Sequence, residues 1–119
     1  MATVEKPIES GEWAEHGPLS IRVERNPAEL YVLGFYGEFD IGGVEIAHSS
    51  LRRAAESHAE QVMVDLSGLD FIDSQGLRVL LDAHDRERRA NRLVFLRGTG
   101  QVDRIFALTQ LYSQLPFAD

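Results

Sequence analysis

Apolar and polar residues alternate over positions 19–24, with the apolar residues at the odd positions. This period of two predicts a half-exposed strand. A denser apolar segment at residues 30–36 predicts a second strand. Because Asn26 and Pro27, a turn signal, lie between the two segments, the strands are predicted to form an antiparallel hairpin.

Helical spacing of apolar residues follows in two longer segments, which predicts two amphipathic helices. After the glycine pair at residues 42–43, the stripe consists of Val44, Ala47, Leu51, Ala54, Ala55 and His58. In the second segment, the stripe consists of Leu77, Leu80, Leu81 and His84. The nearly continuous apolar run at residues 62–66 lies between them and is typical of a central strand covered on both faces.

Strands and helices continue to alternate towards the end of the chain. Residues 93–96 predict a buried strand, residues 102–109 a short helix and residues 115–117 a last strand. Alternation of this kind implies right-handed crossovers and a largely parallel sheet. The predicted fold class is therefore α/β, a single domain with a mixed, mostly parallel sheet and an N-terminal hairpin.

The first 17 residues differ from the rest because they show no hydrophobic period. Pro7, Gly11 and Gly17 stand among glutamates there. Residues 1–17 are therefore predicted to be a flexible tail, and residues 18–119 the folded domain. The chain's one tryptophan, Trp13, lies in this tail. It either packs the tail onto the domain or is an isolated exposed aromatic residue, and the sequence leaves both interpretations open.

Charge and composition narrow the choice of partner. The formal net charge of −7 at pH 7 would repel a nucleic acid on average. The densest basic stretch, residues 86–92, is interleaved with Asp85 and Glu87 and indicates the solvated face of a helix. The chain has no cysteine, no basic N-terminal leader and no run of about 18 apolar residues. We therefore expect a cytoplasmic protein without a membrane or nucleic-acid partner.

The densest chemical signal is Phe-Ile-Asp-Ser-Gln-Gly-Leu at residues 71–77, which follows a predicted strand and opens a predicted helix. Asp73 or Ser74 can cap that helix, which is worth about 1 kcal/mol. The alternative is functional, because a serine at a helix start is exposed to another enzyme. A phosphate there would meet free backbone amides and the helix dipole. Gly76 would let a partner's backbone approach the serine.

Catalytic, metal and cofactor sites find little support. A serine followed by x-Gly is half of a nucleophile elbow, but Ile72 stands at the first glycine position and His84 lies on the same predicted helix. No histidine pair has the spacing of a helical zinc site. The chain's one lysine, Lys6, lies in the predicted tail, so no phosphate-binding loop is present. A serine hydrolase therefore ranks third, behind the two binding functions described below. We expect no catalytic residue, metal or cofactor.

Two segments together carry a family resemblance. Residues 62–77 read VMVDLSGLDFIDSQGL, and residues 37–40 read Gly-Glu-Phe-Asp. Both closely resemble the signature of STAS domains, specifically of bacterial anti-sigma factor antagonists. The likeness extends more loosely over residues 19–117. It implies a sequential strand-helix superhelix and a protein that works as a binding module, as a monomer or a weak dimer.

The resemblance also implies a phosphorylation cycle. An anti-sigma factor with serine kinase activity would phosphorylate Ser74, and the unphosphorylated protein would sequester that kinase. Asp40, Asp73, Gln75 and Gly76 would line the partner-facing surface with Ser74, although Asp40 alternatively only caps the first helix. The family commonly has a small Ser or Thr where this chain has Gln75, a departure that bears on partner choice. The alternative function is an unphosphorylated STAS scaffold or a transporter-associated subunit.

Overall fold

Strands and helices alternate along the chain in the computed structural model, which describes residues 10–26 and 30–118. The strands are β1 Ser10–His16, β2 Leu19–Asn26, β3 Leu30–Phe39, β4 Gln61–Ile72, β5 Leu93–Leu96 and β6 Phe117–Ala118. The helices are α1 Val44–Glu56, α2 Ser74–Glu87 and α3 Gly100–Leu108, with short 3-10 turns at Ile41–Gly43 and Leu111–Ser113.

The six strands form one sheet whose order is the order of the chain, from β1 to β6. β1 and β3 both pair antiparallel with β2, whereas the pairs from β3 to β6 are parallel. The predicted hairpin is β2–β3, with Leu19 opposite Gly37 and Asn26 opposite Leu30. The predicted fold class, a mixed and mostly parallel sheet in sequential order, is confirmed.

The helices cover one face of the sheet. α1 and α2 lie over the starts of β4 and β5, where Val62 and Leu93 point towards them. Phe106 of α3 packs against Phe117, which packs against Phe95 in the same layer. Within β4, Val62, Val64 and Leu66 are buried, while Met63 and Asp65 are only half-buried. The expectation that this strand is covered on both faces is therefore wrong.

Strand β1 corrects the predicted extent of the tail. Ser10–His16 pairs with β2, and Trp13 lies opposite Arg22. Trp13 is 42% exposed, and its ring centroid lies 5.4 Å from that of Tyr36 on the open face of the sheet. An edge strand obtains its hydrogen bonds from one neighbour and needs little hydrophobic period, which is why the pattern did not reveal it. Residues 1–9, the rest of the predicted tail, lie outside the described residues.

Both predicted helix stripes are right in part. In α1, Ala47, Leu51 and Ala54 are buried, as is Ser50. His58 lies beyond the end of α1 and is exposed, so its predicted burial is wrong. In α2 the fully buried positions are Gly76, Val79, Leu80 and Ala83, whereas Leu77, Leu81 and His84 are half-buried. The face of α2 that meets the sheet is therefore rotated relative to the predicted stripe.

The arginine-rich stretch at residues 86–92 is solvated only in part. Arg92 donates to the carbonyls of Ala55 and Ala59 at 2.7 Å and to that of Ser57 at 3.1 Å. Its side chain is 18% exposed and also contacts Glu87 at 3.2 Å. The fork of donors satisfies carbonyls at the end of α1, which lack partners within the helix. Arg92 thus joins the ends of α1 and α2.

Candidate functional site

The candidate site lies where β3 and β4 end side by side. Phe39, the last residue of β3, is opposite Ile72, the last residue of β4. Asp40 and Asp73 follow directly, so two carboxylates come to one edge of the parallel sheet. The amide of Asp73 donates to the carbonyl of Phe39 at 3.2 Å, which ties the two segments together. We call residues 73–76 the serine turn. We call the surface formed by residues 37–43 and 67–76 the site edge.

Two register shifts in β4 shape the approach to the serine turn. One falls after Asp65 and the other before Phe71, and in each β4 has one residue more than β3. Buried positions are two residues apart up to Leu66 and then three apart, at Leu69 and Ile72. Bulges of this kind re-aim side chains. Here they keep Ile72 in the core and leave Phe71 exposed just before the serine turn.

Asp73 caps helix α2. Its Oδ1 accepts from the amides of Gln75 at 2.9 Å and Gly76 at 3.1 Å. The capping interpretation of the Asp73–Ser74 pair is therefore correct for Asp73. The expectation that a phosphate on Ser74 would meet free amides is wrong for these two, because the carboxylate already occupies them.

Ser74 is the first residue of α2 and is exposed. Its hydroxyl makes no hydrogen bond to any part of the chain that the structure describes. Gln75 is exposed beside it. The side chain of Ser74 is therefore free for an external partner, while Asp73 fixes the backbone around it.

Gly76 serves internal packing. It is buried, and a Cβ at this position would lie 2.8 Å from Cγ1 of Ile72 and 2.9 Å from the carbonyl oxygen of Phe39. Such distances are shorter than real Cβ contacts, so the missing side chain lets α2 start directly against the end of β3. That Gly76 lets a partner's backbone approach Ser74 stays a prediction; the structure shows Gly76 buried at the start of α2.

Asp40 caps the 3-10 turn that leads into α1. Its Oδ1 accepts from the amide of Gly42 at 2.9 Å, and its carbonyl accepts from Gly43 at 3.0 Å. The capping alternative for Asp40 is thus correct in geometry. The second carboxylate oxygen makes no hydrogen bond within residues 10–26 and 30–118, so Asp40 can cap the turn and still contact a partner.

Two exposed apolar side chains at the site edge were missed by the sequence analysis. Ile41, directly after Asp40, is 69% exposed, and Phe71 is 38% exposed. Phe71 pairs with Glu38, two residues before Asp40, so both belong to the same edge. Exposed apolar side chains next to polar groups are typical of protein-binding surfaces. An isoleucine between an aspartate and two glycines was the available signal.

The site edge is acidic. The segments at residues 37–43 and 67–76 contain Glu38, Asp40, Asp70 and Asp73 but no lysine or arginine. Negative charge without a neighbouring cation in the sequence favours a partner that brings basic groups. The surface therefore combines an exposed hydroxyl, free carboxylate oxygens and two apolar side chains.

The geometry offers Ser74 no histidine as a general base from its own helix. His84 lies ten residues further along α2, and a rise of 1.5 Å per residue puts it about 15 Å away along the axis. Over the described ranges, no three His, Cys, Asp or Glu side chains cluster to hold a metal ion. No helix in those same ranges is long and apolar enough to cross a membrane.

Together these features define a small single-domain α/β protein whose strands lie in the sheet in chain order. A helix that begins with a serine follows the end of one of its parallel strands. The STAS domain model matches residues 20–119, and the chain belongs to the STAS domain family. No curated protein matches the chain in sequence.

Solved structures of anti-sigma factor antagonists share the fold. One from Mycobacterium paratuberculosis has a TM-score of 0.73 at 20% identity and covers 83% of this chain and 84% of its own. Unphosphorylated SpoIIAA has a TM-score of 0.66 at 23% identity, covering 83% and 88%. The phosphorylated Bacillus cell fate determinant SpoIIAA has a TM-score of 0.62 at 22% identity, covering 83% and 91%.

Proposed function

We propose that this protein is an anti-sigma factor antagonist, a cytoplasmic binding module that acts as a monomer or weak dimer and has no catalytic activity of its own. The observation that supports this most is the exposed hydroxyl of Ser74 at the start of α2, which makes no hydrogen bond within the described part of the chain. The fold neighbours named as antagonists, one in an unphosphorylated and one in a phosphorylated form, point the same way.

In the proposed binding state Ser74 is unphosphorylated. The partner, an anti-sigma factor with serine kinase activity, contacts the site edge through basic groups that meet Asp40 and Asp73. Ile41 and Phe71 supply apolar area that is lost from water on docking. Gln75, exposed beside the serine, contributes to the choice of partner.

Phosphorylation of Ser74 would end this interaction. A phosphate carries about 1.5 to 2 negative charges at neutral pH. It would stand beside the Asp73 carboxylate, which already holds the amides of Gln75 and Gly76. A partner surface shaped for a neutral hydroxyl would then face a bulky dianion, at a cost in steric fit and desolvation.

A capture experiment from the source cell tests the proposal. Wild-type protein, Ser74→Ala and the control Ser113→Ala, at an exposed serine far along the chain, serve as baits. We expect wild type and Ser113→Ala to become phosphorylated at residue 74 and 74 alone, and Ser74→Ala to retain the kinase longest. Phosphate mapped to Ser67 or Ser113 would contradict the proposal. Capture of a partner that is indifferent to residue 74 would favour the scaffold or transporter-subunit alternative.

A further inference from the structure

Strand β4 loses its neighbour before it reaches the site edge. β5 pairs with β4 only from Val62 to Asp65. Beyond that point, residues 66–72 of β4 have β3 on one side and, within residues 10–26 and 30–118, no strand on the other. Helix α3 packs along this open side instead.

The side chain of Gln101 takes the place of a strand at the end of β4. Its Oε1 accepts from the amide of Ile72 at 3.1 Å, and its Nε2 donates to the carbonyl of Ile72 at 3.1 Å. A primary amide is suited to this task because it carries an acceptor and donors in one planar group. Both backbone groups of the last β4 residue are thus held by one side chain.

Helix α3 is packed closely enough to hold Gln101 in place. A Cβ on Gly98 would lie 2.5 Å from Cγ1 of Val102 and 3.3 Å from the carbonyl oxygen of Leu66, so the glycine permits a close approach to β4. Val102, next to Gln101, is fully buried. Gln101 therefore projects from a fixed first turn of the helix and is not a mobile surface side chain.

The serine turn is consequently held from two sides. On one side the Asp73 amide bonds to Phe39 of β3. On the other, Gln101 holds Ile72, the residue directly before Asp73. Since Asp73 in turn positions the amides of Gln75 and Gly76, a loosened Ile72 would loosen the cap as well.

We infer that Gln101 is a positioning residue for Ser74: through Ile72 it keeps the serine turn in the geometry that the partner recognises and makes that geometry depend on the docking of α3. This inference rests on the proposed function for its biological meaning. The physical coupling between Gln101 and residues 73–76 can be measured without any partner.

The first test is amide hydrogen exchange by NMR on the full chain. Gln101→Met keeps the length of the side chain without its hydrogen bonds, and Gln101→Glu can accept from Ile72 but cannot donate at neutral pH. Arg104→Met, at an exposed position of the same helix, is the matched control. We expect at least tenfold faster exchange at Ile72 and at least threefold at Gln75 and Gly76 in Gln101→Met.

The exchange rates in the other two variants and at control amides test the inference further. Gln101→Glu should show the smaller change at the Ile72 amide, and Arg104→Met should leave all three amides within twofold of wild type. Core strand amides, such as that of Val64, should also stay within twofold in each variant. Faster exchange at Ile72 with unchanged Gln75 and Gly76 would overturn the inference, because Gln101 would then serve β4 alone.

A second test uses the partner captured with wild-type protein. Gln101→Met should weaken the affinity of that partner for the protein at least fivefold, although Gln101 lies beside the serine turn and not in it. Arg104→Met should leave the affinity unchanged. If affinity depends on Ser74 but not on Gln101, the positioning role fails and the proposed function stands. If affinity depends on neither, the proposed function fails, while hydrogen exchange still decides whether Gln101 holds the turn.

Discussion

The polar side chains at the two ends of the α1–α2 pair differ in how far they are hydrogen-bonded within the protein. At the end where α1 stops, Arg92 binds three backbone carbonyls and Glu87, and its charge is largely withdrawn from water. At the site edge, where α2 starts, the backbone is capped by Asp73, but the Ser74 hydroxyl has no hydrogen-bond partner among the residues that the structure describes. At the first end the arginine and the backbone carbonyls satisfy one another. At the second end the cap satisfies backbone amides and leaves a side-chain hydroxyl for a partner.

This difference separates stability from recognition within one small domain. A paired and partly buried arginine contributes mainly to the folded state, because its removal leaves carbonyls and a carboxylate unsatisfied. Exposed groups such as Ser74 and Ile41 contribute little to folding and are free to change with the partner. Mutations at the two ends should therefore affect different measurements.

Arg92→Ala should have the largest effect on stability. It removes three bonds to carbonyls and leaves Glu87, 15% exposed, without its cation. We expect the free energy of unfolding to fall by about 3 kcal/mol in urea denaturation. Arg88→Ala, which breaks only the exposed pair with Asp85, is the control and should cost at most about 0.5 kcal/mol. Equal losses in both would remove the contrast between the two ends.

Gly76→Ala should affect both measurements, because Gly76 links the site edge to the core. The new methyl group would press on Phe39 and Ile72. We expect a loss of about 1–2 kcal/mol in the free energy of unfolding, with the gain in helix propensity offsetting part of the strain. Gly42→Ala meets only Asp40 Oδ1 at 3.3 Å and is the control. A stabilised Gly76→Ala protein would contradict the packing role.

Phosphorylation of Ser74 should change affinity and leave stability nearly level. We expect partner affinity to fall at least tenfold, or about 1.4 kcal/mol. The melting temperature should move by no more than a few degrees, since the dipole attraction at the start of α2 opposes repulsion from Asp73. Calorimetry and thermal melting on matched phosphorylated and unmodified samples measure the two. A melt lowered by many degrees would mean that the turn is also part of the stable core.

Ile41→Ser should have the smallest effect on folding and a selective one on binding. Because Ile41 is mostly exposed, we expect a change within about 0.5 kcal/mol in the free energy of unfolding. Partner affinity should fall by about 1 kcal/mol or more if the side chain is buried on docking. Leu108→Ser, at an equally exposed apolar position on α3, is the matched control. Equal losses of affinity would show that the contact extends well beyond the site edge.

The sequence predicted the parts of this molecule that depend on periodicity and on contiguous motifs. The β2–β3 hairpin and the alternation of parallel strands with helices follow from local patterns, whereas the grouping of Asp40 with the serine turn was implied by the resemblance to STAS domains. β1 was missed because an edge strand rich in glutamate has little apolar period. The bulges in β4, which decide where Phe71 points, depend on pairing with β3 and leave no local pattern.

Other features depend on contacts between residues far apart in the chain. Arg92 reaches carbonyls more than 30 positions away, and Gln101 bonds to Ile72 across 29 positions. The tight fit of Gly76 against Phe39 is likewise set by packing. The sequence shows an arginine or a glycine near a predicted helix end, but only the tertiary structure determines which residues each one contacts.

Strand order bears on how the chain folds as it is made. Because each strand joins the edge left by the strand before it, the sheet can grow in the direction of synthesis without any strand inserting between two others. β1, β2 and β3 pair through short connections, whereas each later strand must wait for a crossover. Gln101 comes after β5, so the serine turn receives its second support only after β1 to β5 have emerged. Under the proposed function, a kinase that reads the finished turn would thereby select chains in which α3 has already docked.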